Sequence, residues 1–241
     1  VTIISNTKAT AEVACPDVVG TTDVTVSYGE SSATTTLKVI ESVASSYEVG
    51  DIILTDGTKV SVNDVATYTI DENNKPIGVA MISDVYGVPT PKVIGLQKAA
   101  SKLEWARSGT IGYKTKFTNI VCKPSKTGDG AALTATFTGD TEGSDNWEYI
   151  CSIDPEGTKD PATNYPIFNF ANTYGTTAGL TGTDYENGWY VPSVAELYDV
   201  YTNKEVVQTS LNAAGGFTLG TSYYWSSSQS GYFDDDAYSV D

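Results

Sequence analysis

The sequence predicts an α+β fold preceded by a purely β segment, and three observations carry that reading. Residues 1–41 alternate between Thr or other polar residues and Val, Ile or Leu, the period of half-buried strands. Residues 51–82 hold an Asp-Gly hairpin signal followed by an unbroken apolar run. Gly188–Tyr201 changes from aromatic and β-branched residues to helical spacing across Pro192-Ser193. The 16 Tyr, with abundant Thr, Ser and Gly, favour strands and loops over long helices.

In order, Val1–Ile4, Ala9–Val13, Asp23–Tyr28 and Thr35–Ile40 read as strands, with a turn at Tyr28–Ser32. This β segment spans 1–41, residues 42–47 are a linker, and a second domain runs over 48–241. There, Asp51–Thr55 and Thr58–Val60 flank Asp56-Gly57. A short helix starts at Ser61 and ends near Thr67, and Ile77–Ile82 is a central buried strand. Val93–Leu96 suggests a strand, and Ala99–Trp105 a turn or short helix. Ser144 caps a helix over Asp145–Ile153, and Pro161 opens another. Thr173–Asp184 reads as a flexible loop. Trp189–Val191 is a buried strand end that Pro192 stops. Ser193 and Glu196 then form the Ser-x-x-Glu capping box of a helix carrying Leu197, Val200 and Tyr201 on one face. Trp189, Leu197 and Trp225 are expected to be buried together, so that Trp225→Ala would cost roughly 3–5 kcal/mol.

Net charge is −16, which argues against nucleic acid as a partner, and no stretch approaches the roughly 20 apolar residues of a membrane span. Both ends read as cut or processed, without a signal segment. Charge is uneven. Lys92–Lys126 carries eight bases against Glu104, while Asp184–Asp241 carries nine acids against Lys204. Solvated faces are the plain reading of such runs, an anion site on the basic segment the sharper one, and the basic segment is left as surface. The absence of His excludes Ser-His-Asp, Cys-His and His-ligated zinc chemistry. Cys15, Cys122 and Cys151 form no C-x-x-C pair; one disulfide, Cys122–Cys151, or buried free thiols are both open. Glu196 and Asp199 share a helix face as a hydrolase pair would, but Glu196 already serves the capping box. No cofactor is expected. Asp234-Asp235-Asp236 could hold a structural calcium, but lacks EF-hand spacing and reads better as a solvated acidic turn.

The stretch Tyr223–Tyr238 mixes Tyr, Ser, Gly and Asp, rigid rings with small adaptable polar groups, the composition of an antibody paratope. An ordinary Ser/Asp-rich turn between strands is the alternative.

Gly20–Ile40 resembles the last two strands of bacterial immunoglobulin-like domains. Gly143–Glu148, Asn164–Ala171, Gly188–Leu197 and Ser222–Gln229 occur in an order that resembles bacterial surface proteins with a C-type-lectin-type domain, in the formylglycine-generating-enzyme-like subgroup. Variable proteins of diversity-generating retroelements look very similar, and the likeness covers roughly residues 48–241. It implies a C-type lectin fold: two helices packed around small antiparallel sheets, with the ligand surface in the last strands. Carried over, that surface is Tyr223, Ser228, Ser230, Tyr232, Phe233, Asp234, Asp235, Asp236 and Tyr238, while Trp225 matches a core position. Adenine-randomised Asn-type codons, as in the resembling variable proteins, reach every residue type in Tyr223–Tyr238 except Trp225 and Gln229.

Two departures bear on chemistry. No Cys follows Cys151, so the oxidase activity of formylglycine-generating enzymes is not expected, and the Glu-Pro-Asn, Gln-Pro-Asp and Trp-Asn-Asp motifs of calcium-dependent lectins are missing. The expectation is a secreted or surface-displayed adhesion or ligand-binding protein, not an enzyme, meeting a protein or glycan on another cell or a phage or host surface. The alternatives are a catalytically altered enzyme of that lineage and a structural adhesin module without a dedicated site.

Overall fold

The computed structural model describes residues 47–85, 88–220, 223–230 and 237–240, with strand backbone at 2–3, 9–10, 20–28 and 31–39. Contacts divide the chain into two units, Val1–Ser46 and Tyr47–Asp241. In the first, β1 (Thr2–Ile3) pairs antiparallel with β2 (Ala9–Thr10), and β3 (Gly20–Tyr28) with β4 (Ser31–Val39). The β3–β4 register is unbroken from Gly20↔Val39 to Tyr28↔Ser31, which keeps the two alternating patterns in phase. Cys15 lies outside the described residues.

The second unit is mixed α and β, an α+β arrangement of six helices among the described residues and several small antiparallel sheets. Its largest sheet joins β5 (Ile52–Leu54), β6 (Lys59–Val60), β7 (Pro76–Val85) and β8 (Val88–Gly95) in the order β6-β5-β7-β8. Asp56-Gly57 makes the β5–β6 turn, with Gly57 at φ +83°, where a side chain would be strained. The apolar run of β7 has a physical cause: both faces of the strand are covered. Val79 and Met81 meet Val207 and Leu211, while Ile77 and Ala80 meet Tyr174 and Leu180. Ile77 breaks the two-residue alternation because the β5–β7 register slips between Ile53↔Gly78 and Leu54↔Pro76.

The helices are α1 (Asn146–Ile153), α2 (Pro161–Asn164), α3 (Pro166–Asn172), α4 (Tyr174–Thr177), α5 (Val194–Thr202) and α6 (Lys204–Ala213). Ser144 does not cap α1; Asp145 precedes it without a capping bond, and the Ser144 hydroxyl donates to Glu142. The segment read as a flexible loop contains α4, and Tyr174 and Leu180 are buried because they cover β7. Trp189–Val191 is not a strand; it is irregular chain leading to the cap of α5. The helix read at Ser61–Thr67 is a single 3₁₀ turn, Val65–Thr67, and Ala99–Trp105 is irregular.

A second core gathers Trp105, Phe117, Tyr165 and Phe168 with Trp147 on α1; the Trp105 and Phe168 rings meet edge to face at 5.0 Å. Two small sheets complete the unit: β9 (Cys122–Pro124) with β10 (Phe137–Gly139), and β11 (Tyr224–Gln229) with β12 (Ala237–Val240). Cys122 and Cys151 are free thiols, so the disulfide alternative is set aside. Burial, then the nearby Asp140 charge, pushes the Cys122 thiol up to about 12, leaving it an inert core residue. Among the described residues, no helix is long and apolar enough to cross a membrane.

Candidate functional site

The entry to α5 organises one wall of the site. Ser193 Oγ accepts from Glu196 N at 3.1 Å, and Glu196 Oε2 accepts from Ser193 N at 2.8 Å, closing the capping box the sequence predicts. Glu196 does more than cap. Its Oε2 also accepts from Gly143 N at 3.0 Å, its Oε1 accepts from the Tyr190 hydroxyl at 2.7 Å, and Lys92 Nζ stands 3.8 Å away. A Cβ on Gly143 would come within 2.5 Å of Ser193 N, so only glycine lets these segments meet.

Burial pushes the Glu196 carboxyl above its ordinary value, against the Ser193, Tyr190 and Lys92 contacts, which pull it down. Burial also opposes ionisation of Glu142, but hydrogen bonds from Ser144 and from Lys92 at 3.1 Å outweigh it and hold that carboxyl low. Lys92 is thus the shared cation of two carboxylates; leaving it with the surface bases is corrected here.

The first three serines of β11 lock this wall to the core. Ser226 accepts at its carbonyl from Trp105 Nε1 (3.0 Å), Ser227 Oγ accepts from Asn146 Nδ2 (2.8 Å), and Ser228 Oγ accepts from Val194 N (3.0 Å). Ser227 N donates to Pro192 O at 2.7 Å, and Gln229 bridges Phe117 N to Thr115 O. Backbone donors at the start of a helix and in loops need partners once buried, and small polar side chains supply them without filling the core.

Beside this wall opens a cavity of about 1790 Å³. Its rings include Trp189, Tyr190, Tyr201, Phe217, Tyr223 and Trp225, and its cations are Lys92, Lys98, Lys102 and Lys204. Tyr223 and Trp225 keep 74% and 40% of their surface exposed. The Trp225 indole donates to Leu103 O at 3.1 Å, which fixes its ring at the rim.

The structure places the residues expected at the recognition surface in three different settings. Tyr223 is exposed and lines the cavity. Ser228 and Ser230 are buried, corrected from surface to core because Ser228 holds the start of α5 and the strand runs inward at this point. Tyr238 is half-buried beside Cys122, Val194 and Ala195, which also makes it a packing residue. Tyr232, Phe233, Asp234, Asp235 and Asp236 lie outside the described residues.

Trp225 is corrected the other way, from core to cavity rim. Trp189 and Leu197 are half-buried, and the three line the cavity instead of closing into one core. Phe217 and Lys204 line the cavity without being read as site residues from the sequence, Lys98 and Lys102 come from the basic segment left as surface after an anion site is weighed, and Tyr201 is read there as a core-facing helix position. The spacing of Val207, Ser210, Leu211 and Ala214 would have placed α6, and with it this side of the cavity.

Among the described residues, no group of three His, Cys, Asp or Glu is placed to hold a metal. No protein-family model, curated protein or solved structure matches the chain.

Proposed function

We propose that this chain is a ligand-binding protein that acts without catalysis, and that its recognition surface is the ring-lined cavity with Tyr223 and Trp225 at its mouth. The observation that carries the reading is the exposure of those two large rings at the rim of a cavity that is itself walled with rings. Exposed aromatic groups around a concave site are what ligand recognition uses, since they offer large contact area at small entropic cost. The ligand on this reading is a protein or glycan met outside the cell or at its surface.

We further propose a C-type-lectin-type fold for the second unit, with an immunoglobulin-like origin for the first and retroelement diversification within the stretch Tyr223–Tyr238. Support for the fold is that the two stretches carrying the resemblance touch: Pro192 and Val194 bond directly to Ser227 and Ser228. Gln229, expected to be constant under diversification, is a buried structural residue.

The competing reading, an altered enzyme, rests on Glu196, a buried carboxyl with a raised pKa at a cavity wall. Its two oxygens already accept three hydrogen bonds and face Lys92, so it is committed to holding the α5 entry.

The test is capture on arrays of glycans and of surface proteins. The wild-type chain is expected to retain at least one ligand, and the Tyr223→Ala/Trp225→Ala variant to lose it with its circular dichroism unchanged. Equal capture by the double variant contradicts the reading.

A further inference from the structure

We infer that the cavity selects an anionic glycan, a chain of uronate-type sugars, an inference that rests on the cavity being the ligand site. The starting point is where the positive charge lies. The chain carries −16 overall, and Asp184–Asp241 holds a single base, Lys204; that base is on the cavity wall. Lys98 and Lys102, from the basic stretch, are there too. All three are exposed, and among the described residues none pairs with a carboxylate. The acids on the wall leave them free: Glu196 is taken by Lys92, Glu104 faces Arg107 at 3.7 Å, and Glu205 alone is unpaired.

Two of the three cations stand beside a ring. Lys204 Nζ lies 5.0 Å from the Tyr201 ring centre, and Lys98 Nζ lies 5.7 Å from that of Phe217, which itself neighbours Tyr224 at 6.3 Å. Lys102 precedes Leu103, whose carbonyl fixes the Trp225 indole. The wall therefore offers two ring–cation pairs and a third lysine, Lys102, one residue from the carbonyl that holds Trp225. A uronate polymer offers the complement: apolar sugar faces to lie on rings, and one carboxylate per residue to meet a lysine. Partial removal from water strengthens such charge contacts and focuses the field of the cations into the cavity.

Size and backbone chemistry favour this occupant over two others. At about 1790 Å³ the cavity exceeds the 300–1,000 Å³ typical of small-molecule sites, so several linked rings fit. An acidic peptide would bind most simply by adding a strand to β8, the edge of its sheet among the described residues. Pro89 and Pro91 in β8 lack the N–H that such pairing needs.

The experiment is calorimetric titration of the whole chain with hexamers of galacturonate, alginate and hyaluronan, the fully methyl-esterified galacturonate hexamer, and a poly-glutamate peptide. At least one acidic hexamer is expected to bind, at least tenfold more tightly than the neutral ester or poly-glutamate, with affinity falling as salt rises from 50 to 300 mM. Lys98→Ala/Lys102→Ala/Lys204→Ala is expected to lose at least tenfold toward the acidic hexamer with an unchanged melt. Lys98→Gln alone gives a smaller loss and serves if the triple variant does not fold. Equal binding of the ester overturns charge selection while leaving the cavity as ligand site. Binding of poly-glutamate alone, or of none of the three acidic hexamers, overturns the glycan class. Loss of array capture by Tyr223→Ala/Trp225→Ala still judges the cavity reading separately.

Discussion

Tyr223, just before β11, and Trp225, its second residue, hold 74% and 40% of their surface in solvent, whereas Ser226, Ser227 and Ser228, the next three residues, hold none. The sequence reading places Trp225 and Ser228 the other way, the indole inward and the serine outward. The difference is decided by unpaired backbone groups. Where β11 enters the core it meets the first amides of α5 and the side chain of Asn146, which need acceptors more than they need apolar contact. Before that point the Trp225 indole satisfies the Leu103 carbonyl from the rim, and the rings are left to the cavity. One short strand and the residue before it thus carry a structural half and a recognition half.

The largest effect expected from breaking the structural half is at Glu196. Glu196→Ala leaves the Gly143 and Ser193 amides without their acceptor and Lys92 with one carboxylate fewer, and should cost about 3–5 kcal/mol in denaturant unfolding. A cost below about 1 kcal/mol would mean that the Glu196 hydrogen bonds do not hold the entry to α5. Asn146→Ala, which releases Ser227, should cost about 1–3 kcal/mol by the same measurement.

The two carboxylates beside Lys92 sharpen the comparison through pH. The folded pKa of Glu142 lies below its ordinary 4.5, so its contribution is present above 4.5 and is lost as pH falls through the folded value. The folded pKa of Glu196 lies above 4.5, so the folded state binds that proton more readily, and the contribution of Glu196 declines as pH rises through its folded value. Glu142→Gln should therefore flatten the loss of stability below pH 4.5, and Glu196→Gln should leave that loss in place. Unfolding free energies measured between pH 3 and 7 check both; parallel curves for wild type and Glu142→Gln would contradict the assignment.

How much of this was legible in the sequence follows from the range of the interactions. The capping box and the Asp-Gly hairpin are set by neighbours within a few residues and read directly from local pattern, and the burial of β7, though made by distant partners, shows in its unbroken apolar run. Trp225 and Ser228 depend on partners far away in the chain, Leu103 and Val194, and no local pattern reports them. Lys92 looked like one of eight surface bases because Glu142 and Glu196 come to it only through the fold. The α6 helix was within reach, since its buried positions recur at helical spacing; its low overall apolar content hid it.

The most direct measurement of the divided strand is a side-by-side denaturant titration of Trp225→Ala and Ser228→Ala. Removing the exposed indole should cost less than about 1 kcal/mol, as a surface substitution does. Removing one buried hydroxyl leaves the Val194 amide unpaired and should cost about 1–3 kcal/mol. The account predicts that the smaller deletion is the more damaging. If Trp225→Ala instead costs 3–5 kcal/mol and Ser228→Ala is neutral, the rings hold the core, the serines face out, and the proposed recognition surface is lost.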